Sequence, residues 1–143
     1  MGGFELTVIH KTLIEAIEAE AEKSYPFECC GVIFGSIEGE KKIAHSIKSI
    51  VNNFGAGEEY HRFLITAEDM MQAEIYARAN GLDVVGFYHS HPDHPAVPSE
   101  YDRSHALPVY SYLITSVMNG KADKTASYEL INEIFETENN DII

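Results

Sequence analysis

Apolar and polar residues recur along the chain with two periods, and each period predicts one class of element. Leu13, Ile14, Ile17 and Ala21 have the spacing of one helical face, with glutamates on the opposite face. This pattern predicts a first helix that ends near residue 23, ahead of Pro26.

Two further helices are predicted from their end signals. Thr66 and Asp69 have the spacing of a capping box, and Gly81 suits the position just after a helix, so this helix runs to about Asn80. A short helix is expected over residues 99–107.

Apolar runs between the helices predict strands. They lie at residues 4–9, 29–35, 42–50, 60–65, 83–90, 109–117 and 125–131, with a loop at 52–59 and a turn at 119–120. Because helices are inserted among mostly consecutive strands, this order favours an α+β fold with a mixed, mostly antiparallel sheet flanked by helices. We expect one domain over residues 1–143, with its core at about 5–131 and an acidic C-terminal tail at about 132–143.

The composition is that of a globular protein, and it limits the classes of partner that we expect. No apolar run approaches the roughly 18 residues that span a bilayer, and residues 1–10 lack the features of a signal peptide, so we expect a cytoplasmic protein without a membrane partner. A net charge of −13 disfavours nucleic-acid binding, which needs clustered Lys and Arg. The adjacent Cys29 and Cys30 fit neither a disulfide framework nor C-x-x-C metal spacing, which favours two buried thiols.

Side chains that can bind a metal ion are concentrated between residues 89 and 102. His89 and His91 end a predicted strand two positions apart, so both imidazoles project from the same face. Asp102, in the first turn of the short helix, can reach the same point. Two imidazoles and one carboxylate make a three-ligand zinc site with one position open for water, which is the catalytic type of site.

These residues also have plainer interpretations. Ser99 and Asp102 fit the S-x-x-D capping box, and two histidines at this spacing can be ordinary core or surface residues. Ser90 points away from its neighbours, where it would support the ligands. Asp93 and His94 are rival ligands, although solvated loop positions suit them better.

Hydrolysis at such a site needs a general base as well as a metal. Glu28 is the candidate, because it follows a proline-bounded turn and precedes a strand whose end can face a cleft. Spacing alone leaves other glutamates open for this role.

Together, these residues resemble the JAMM motif of the MPN (JAB) metalloprotease family. That motif is a distant glutamate, then H-[ST]-H-P, then S-x-x-D seven residues beyond the second histidine. Here the glutamate is Glu28, HSHP occupies residues 89–92, and SEYD occupies residues 99–102. Residues 26–35 (PFECCGVIFG) resemble the prokaryotic P-x-E-x-C-G signature, and the resemblance covers about 5–131.

The resemblance implies a single MPN domain with a cytidine-deaminase-like fold and one Zn²⁺ per chain. His89, His91 and Asp102 would hold the zinc. Glu28 would hold and deprotonate the water, and Ser99 would hydrogen-bond the tetrahedral intermediate during hydrolysis of a peptide or isopeptide bond.

The resemblance also implies a substrate class. The chain has no room for the insertions that grip ubiquitin chains, and it is more similar to short stand-alone prokaryotic members associated with ubiquitin-like sulfur carriers. The expected partner is a small β-grasp carrier whose Gly-Gly tail enters as an extended strand; a homodimer is compatible with the sequence. The alternatives are a non-catalytic MPN scaffold and a RadC-like DNA-associated protein, although RadC-type members have asparagine where Ser90 stands.

Overall fold

A computed structural model describes residues 6–50 and 65–143. Within these ranges the helices are α1 (Lys11–Ser24), α2 (Ala67–Ala79) and α3 (Glu100–His105). The strands are β1 (Leu6–Ile9), β2 (Cys30–Glu38), β3 (Lys41–Ile50), β4 (Asp83–Pro92), β5 (Ser111–Met118), β6 (Lys121–Ile131), β7 (Ile134–Thr137) and β8 (Asn140–Ile142). In the part of the chain described, no helix is both long and apolar enough to cross a membrane.

All eight strands join one sheet in the order β7-β6-β5-β4-β2-β3-β1-β8. Most neighbours are antiparallel; the parallel pairs are β1 with β3, β1 with β8, and β4 with β5. This confirms the predicted α+β fold with a mixed sheet. The central strand β4 lies between β2 and β5, so hydrogen bonds on both of its edges fix its backbone.

Helices cover both faces of the sheet. Leu13 and Ile17 of α1 belong to one apolar cluster, which includes Val85 and Tyr88 of β4. Ala73 and Ala77 of α2 belong to the cluster on the other face. Strand β4 is therefore buried from residue 84 to residue 92, which explains why its sequence has no polar alternation.

The capping signals predicted the second helix well. The Thr66 hydroxyl accepts from the Asp69 backbone N–H at 3.0 Å, and the Asp69 carboxylate accepts from the Thr66 N–H at 2.9 Å. Gly81 follows the helix with φ +66°, a left-handed conformation that glycine adopts without strain. The predicted loop at 52–59, and residues 60–64 of the predicted strand at 60–65, lie outside the described residues, and Ile65 itself is not in a strand.

The C-terminal segment differs from the expected acidic tail, because residues 134–137 and 140–142 form β7 and β8. Glu138 follows β7 in the sequence, and its side chain is buried against the sheet. Lys42, Thr7 and Ser111 contact its carboxylate at 3.1, 3.1 and 2.8 Å, respectively. An acidic residue that sequence composition assigns to solvent is therefore part of a buried ionic network, since the buried Lys42 also pairs with Glu129.

Candidate metal centre

The end of β4 places both motif histidines. His89 and His91 are 1% and 8% exposed, and β4 continues through them to Pro92 rather than ending at residue 90. His89 is in register with Cys30 of β2 and Ile114 of β5, so its backbone is held from both sides. The two imidazoles project to one face, as the i, i+2 spacing predicts.

Helix α3 positions the third candidate ligand, the Asp102 carboxylate. Ser99 is its N-cap, and its hydroxyl accepts from the Asp102 N–H at 3.0 Å. In return, Asp102 Oδ2 accepts from the Ser99 N–H at 2.8 Å. The capping-box interpretation is confirmed, and the same carboxylate also reaches the histidines of β4.

Three potential ligand atoms converge at this point. His89 Nε2 lies 3.1 Å from His91 Nε2 and 3.2 Å from Asp102 Oδ1. His91 Nε2 lies 3.1 Å from Asp102 Oδ2. Among the described residues, these three form the group of His, Cys, Asp or Glu side chains that could hold a metal ion.

The donor set fits a small divalent cation. His91 Nδ1 lies 3.0 Å from the Pro95 carbonyl oxygen, which can only accept a hydrogen bond. This favours the tautomer with its proton on Nδ1, whose Nε2 lone pair is directed toward the cluster. Ligand atoms around tetrahedral zinc, at about 2.0–2.1 Å from the ion, are about 3.3 Å apart. The observed spacings of 3.1–3.2 Å are close to that value.

The pKa values of the three groups reflect burial and mutual charge. Burial lowers the pKa of His89, and the charge of Asp102 offsets this only in part. For His91, burial also lowers the pKa, but bonds to Asp102 and Pro95 outweigh it and raise the pKa. Burial would raise the pKa of Asp102, yet the two histidines hold it far below its usual range. Asp102 is therefore an ionised carboxylate, as metal binding requires.

Glu28 lies close to this cluster without belonging to it. It is buried at 8% exposure, two residues before β2, and its charge acts to raise the pKa of His91. It lines a cleft of about 430 Å³, whereas His89 and Asp102 line a second cleft of about 110 Å³. The candidate base and the candidate metal ligands thus line different clefts, since His89 and Asp102 line one and Glu28 lines the other.

Ser90 is fully buried and supports the Glu28 segment. Its hydroxyl accepts from the Cys29 backbone N–H at 2.9 Å, and its own N–H donates to the Cys29 carbonyl at 3.1 Å. Cys29 and Cys30 are free, buried thiols, as predicted. Burial raises the pKa of both, that of Cys29 to about 12, so the thiols stay protonated and are poor metal ligands.

The rival ligands in the loop after β4 lie elsewhere. The Asp93 carboxylate accepts from the Tyr25 hydroxyl at 2.6 Å and from the Asn119 N–H at 2.9 Å. His94 is exposed and outside the cluster. Sequence reasoning did not single out Tyr25 or the Pro95 carbonyl, because neither has a local signal of its role.

Residues 10–131 match the family described as prokaryotic homologs of the JAB domain. The chain belongs to this family. The predicted resemblance to JAMM/MPN proteins is thereby confirmed, and the JAB domain includes the capping box of α3, the end of β4 and Glu28.

Two relatives share part of their length with this JAB domain. The desampylase of Haloferax volcanii is 36% identical over 93 residues, which cover 64% of this chain and 63% of that protein. Tail tip assembly protein K of Escherichia phage N15 is 35% identical over 91 residues, which cover 64% of this chain and 32% of that protein. The chain thus spans less than two thirds of either relative.

Two solved structures share the fold over nearly the whole chain. A protein from Desulfitobacterium hafniense superposes with a TM-score of 0.82 at 25% identity, covering 96% of this chain and 92% of that one. A protein from Salinibacter ruber gives a TM-score of 0.71 at 31% identity, with 94% and 89% covered.

Proposed function

We propose that this JAB-domain protein is a zinc-dependent metallopeptidase of the JAMM type. The observation that carries the proposal is the convergence of His89, His91 and Asp102, with ligand atoms 3.1–3.2 Å apart and buried beside Glu28. Three protein ligands leave one position for water or substrate, which distinguishes a catalytic zinc site from a structural one.

The roles follow from the chemistry of each group. Zinc, when bound, would lower the pKa of water and polarise the substrate carbonyl. Glu28 takes the proton from the attacking water and delivers it to the leaving amine. The Ser99 Oγ accepts the capping bond from Asp102, so its own hydroxyl proton remains to be donated to the developing oxyanion.

The proposed substrate is a conjugate of a ubiquitin-like protein, and the desampylase relative supports this class. More specifically, we propose cleavage at the C-terminal Gly-Gly tail of a small β-grasp sulfur carrier, with the tail entering as an extended strand. A homodimer and a cytoplasmic location remain predictions from the sequence.

The test is hydrolysis of a carrier that bears a short extension after Gly-Gly, measured together with the zinc content. We expect about one zinc per chain, and Glu28→Gln should lower kcat by about 10²–10⁴-fold while the zinc content is unchanged. Glu15→Gln, an exposed position on α1, is the matched control and should retain full activity.

A non-catalytic scaffold is the second candidate, and the tail tip assembly relative is the observation that favours keeping it. Full zinc content without cleavage of any carrier fusion would support the scaffold. Sub-stoichiometric zinc in zinc-replete buffer at neutral pH would overturn the metallopeptidase. The net charge of −13 continues to disfavour a RadC-like role on DNA.

A further inference from the structure

Two segments that are distant in sequence supply the proposed base and the histidine ligands. Glu28 lies in the connection between α1 and β2, and His91 lies near the end of β4. A general base acts only within hydrogen-bond reach of the proton that it moves. The relative position of these two segments therefore determines whether Glu28 can work.

One tie between the segments is the reciprocal pair of bonds between Cys29 and Ser90, at 2.9 and 3.1 Å. It lies immediately after Glu28 on one segment and immediately before His91 on the other. This tie lies on the C-terminal side of Glu28.

A second tie lies on the N-terminal side of Glu28. The Tyr25 hydroxyl donates to Asp93 Oδ2 at 2.6 Å, and Tyr25 precedes Glu28 by three residues while Asp93 follows His91 by two. The two ties therefore bracket both functional residues, one tie on each side.

Asp93 is itself firmly held, which makes it a suitable anchor. Its backbone N–H donates to the Val117 carbonyl at 2.7 Å, and its Oδ1 accepts from the Asn119 N–H at 2.9 Å. It has φ +57°, a left-handed conformation that aspartate tolerates better than most residues. A Cβ at Gly120 would lie 3.7 Å from the Tyr25 ring, so the turn after β5 lies near both partners.

We propose that Tyr25 and Asp93 form a positioning clamp that holds Glu28 at its working distance from the metal ligands. The proposal rests on the proposed hydrolytic function. Neither residue touches the reacting atoms, so both are positioning residues. A displacement of about 1 Å at a reacting group can cost about 10²-fold in rate, and loss of one of two ties should cost less than that.

The test is a double-mutant cycle on the zinc-loaded protein with the extended carrier as substrate. Tyr25→Phe removes only the hydroxyl, and Asp93→Gly removes the carboxylate while tolerating the positive φ. We expect Tyr25→Phe to lower kcat about tenfold with KM and zinc content unchanged. Tyr25→Phe should add nothing further in the Asp93→Gly background. Tyr76→Phe, on the outer side of α2, is the matched control and should leave kcat unchanged.

A merely structural bond would give different results. Wild-type kcat in Tyr25→Phe, a loss confined to KM or zinc content, or fully multiplicative losses in the double variant would each overturn the clamp. Amide exchange tests the clamp even if the wild type cleaves no carrier. Tyr25→Phe should speed exchange of the Cys29 N–H without changing the free energy of global unfolding, and unchanged exchange there would overturn the proposal.

Discussion

Helices α2 and α3 begin with the same local structure and serve different purposes. In α2, Thr66 and Asp69 exchange side-chain and backbone hydrogen bonds at 3.0 and 2.9 Å. In α3, Ser99 and Asp102 do so at 3.0 and 2.8 Å. Asp69 is half-buried, whereas Asp102 is 7% exposed and contacts two histidines.

The difference shows that capping and metal ligation are not competing interpretations of S-x-x-D. The cap fixes the Asp102 side chain through Oδ2, and Oδ1 remains directed to His89. The cap thus orients the proposed ligand, as outer hydrogen bonds do at metal sites. What distinguishes the two boxes is their surroundings, because the carboxylate of the α3 box lies against His89 and His91 at the buried end of β4.

The largest expected difference between the boxes is in metal affinity. Asp102→Asn keeps an acceptor oxygen for the cap but loses the charged ligand. Because loss of an outer partner alone costs about 10–100-fold, we expect at least about 100-fold weaker zinc binding and no cleavage. Asp69→Asn, the same change in the other box, should leave zinc binding unchanged. Competition with a chromophoric chelator measures both affinities.

Equal zinc affinity in Asp102→Asn and the wild type would show that Asp102 only caps α3. Weaker zinc binding in Asp69→Asn would show that the effect on affinity comes from helix capping in general. In either case, the contrast between the two boxes would fail.

Local patterns predicted the parts of the fold whose determinants lie close together in sequence. The helical face of Leu13 and Ile17, and both capping boxes, depend on contacts within a few residues. The convergence of the proposed metal ligands was also predictable, because a strand end and a short loop bring His91 and Asp102 together within 11 positions.

Interactions between distant segments were not predictable in the same way. Glu138 meets Lys42 and Thr7 across 96 and 131 positions, and no local pattern distinguishes it from a solvated glutamate. Tyr25 meets Asp93 across 68 positions for the same reason. Glu28 could be proposed as the base from its place before a strand, but spacing alone left other glutamates open, and its distant role was inferred from a sequence context that resembles that of a known family.

The next difference concerns the hydroxyl of each N-cap. Ser99→Ala and Thr66→Ala should each lower the free energy of unfolding by about 1 kcal/mol, since both remove an acceptor for a helix N–H. Only Ser99→Ala should also lower kcat, by about 10²–10³-fold, if its hydroxyl stabilises the oxyanion. Urea unfolding and carrier cleavage measure the two effects. A similar loss of kcat in Thr66→Ala would trace it to helix stability instead.

The smallest expected effect on stability separates the two roles of Ser99 directly. Glycine is a tolerable N-cap, so Ser99→Gly and Thr66→Gly should each cost only a few tenths of a kcal/mol, about a third of the loss in the alanine variants. Ser99→Gly nevertheless lacks the hydroxyl, so its kcat should fall as far as that of Ser99→Ala. If kcat instead recovers together with stability, Ser99 serves the site only by holding Asp102 in place, and the oxyanion must be stabilised by another group.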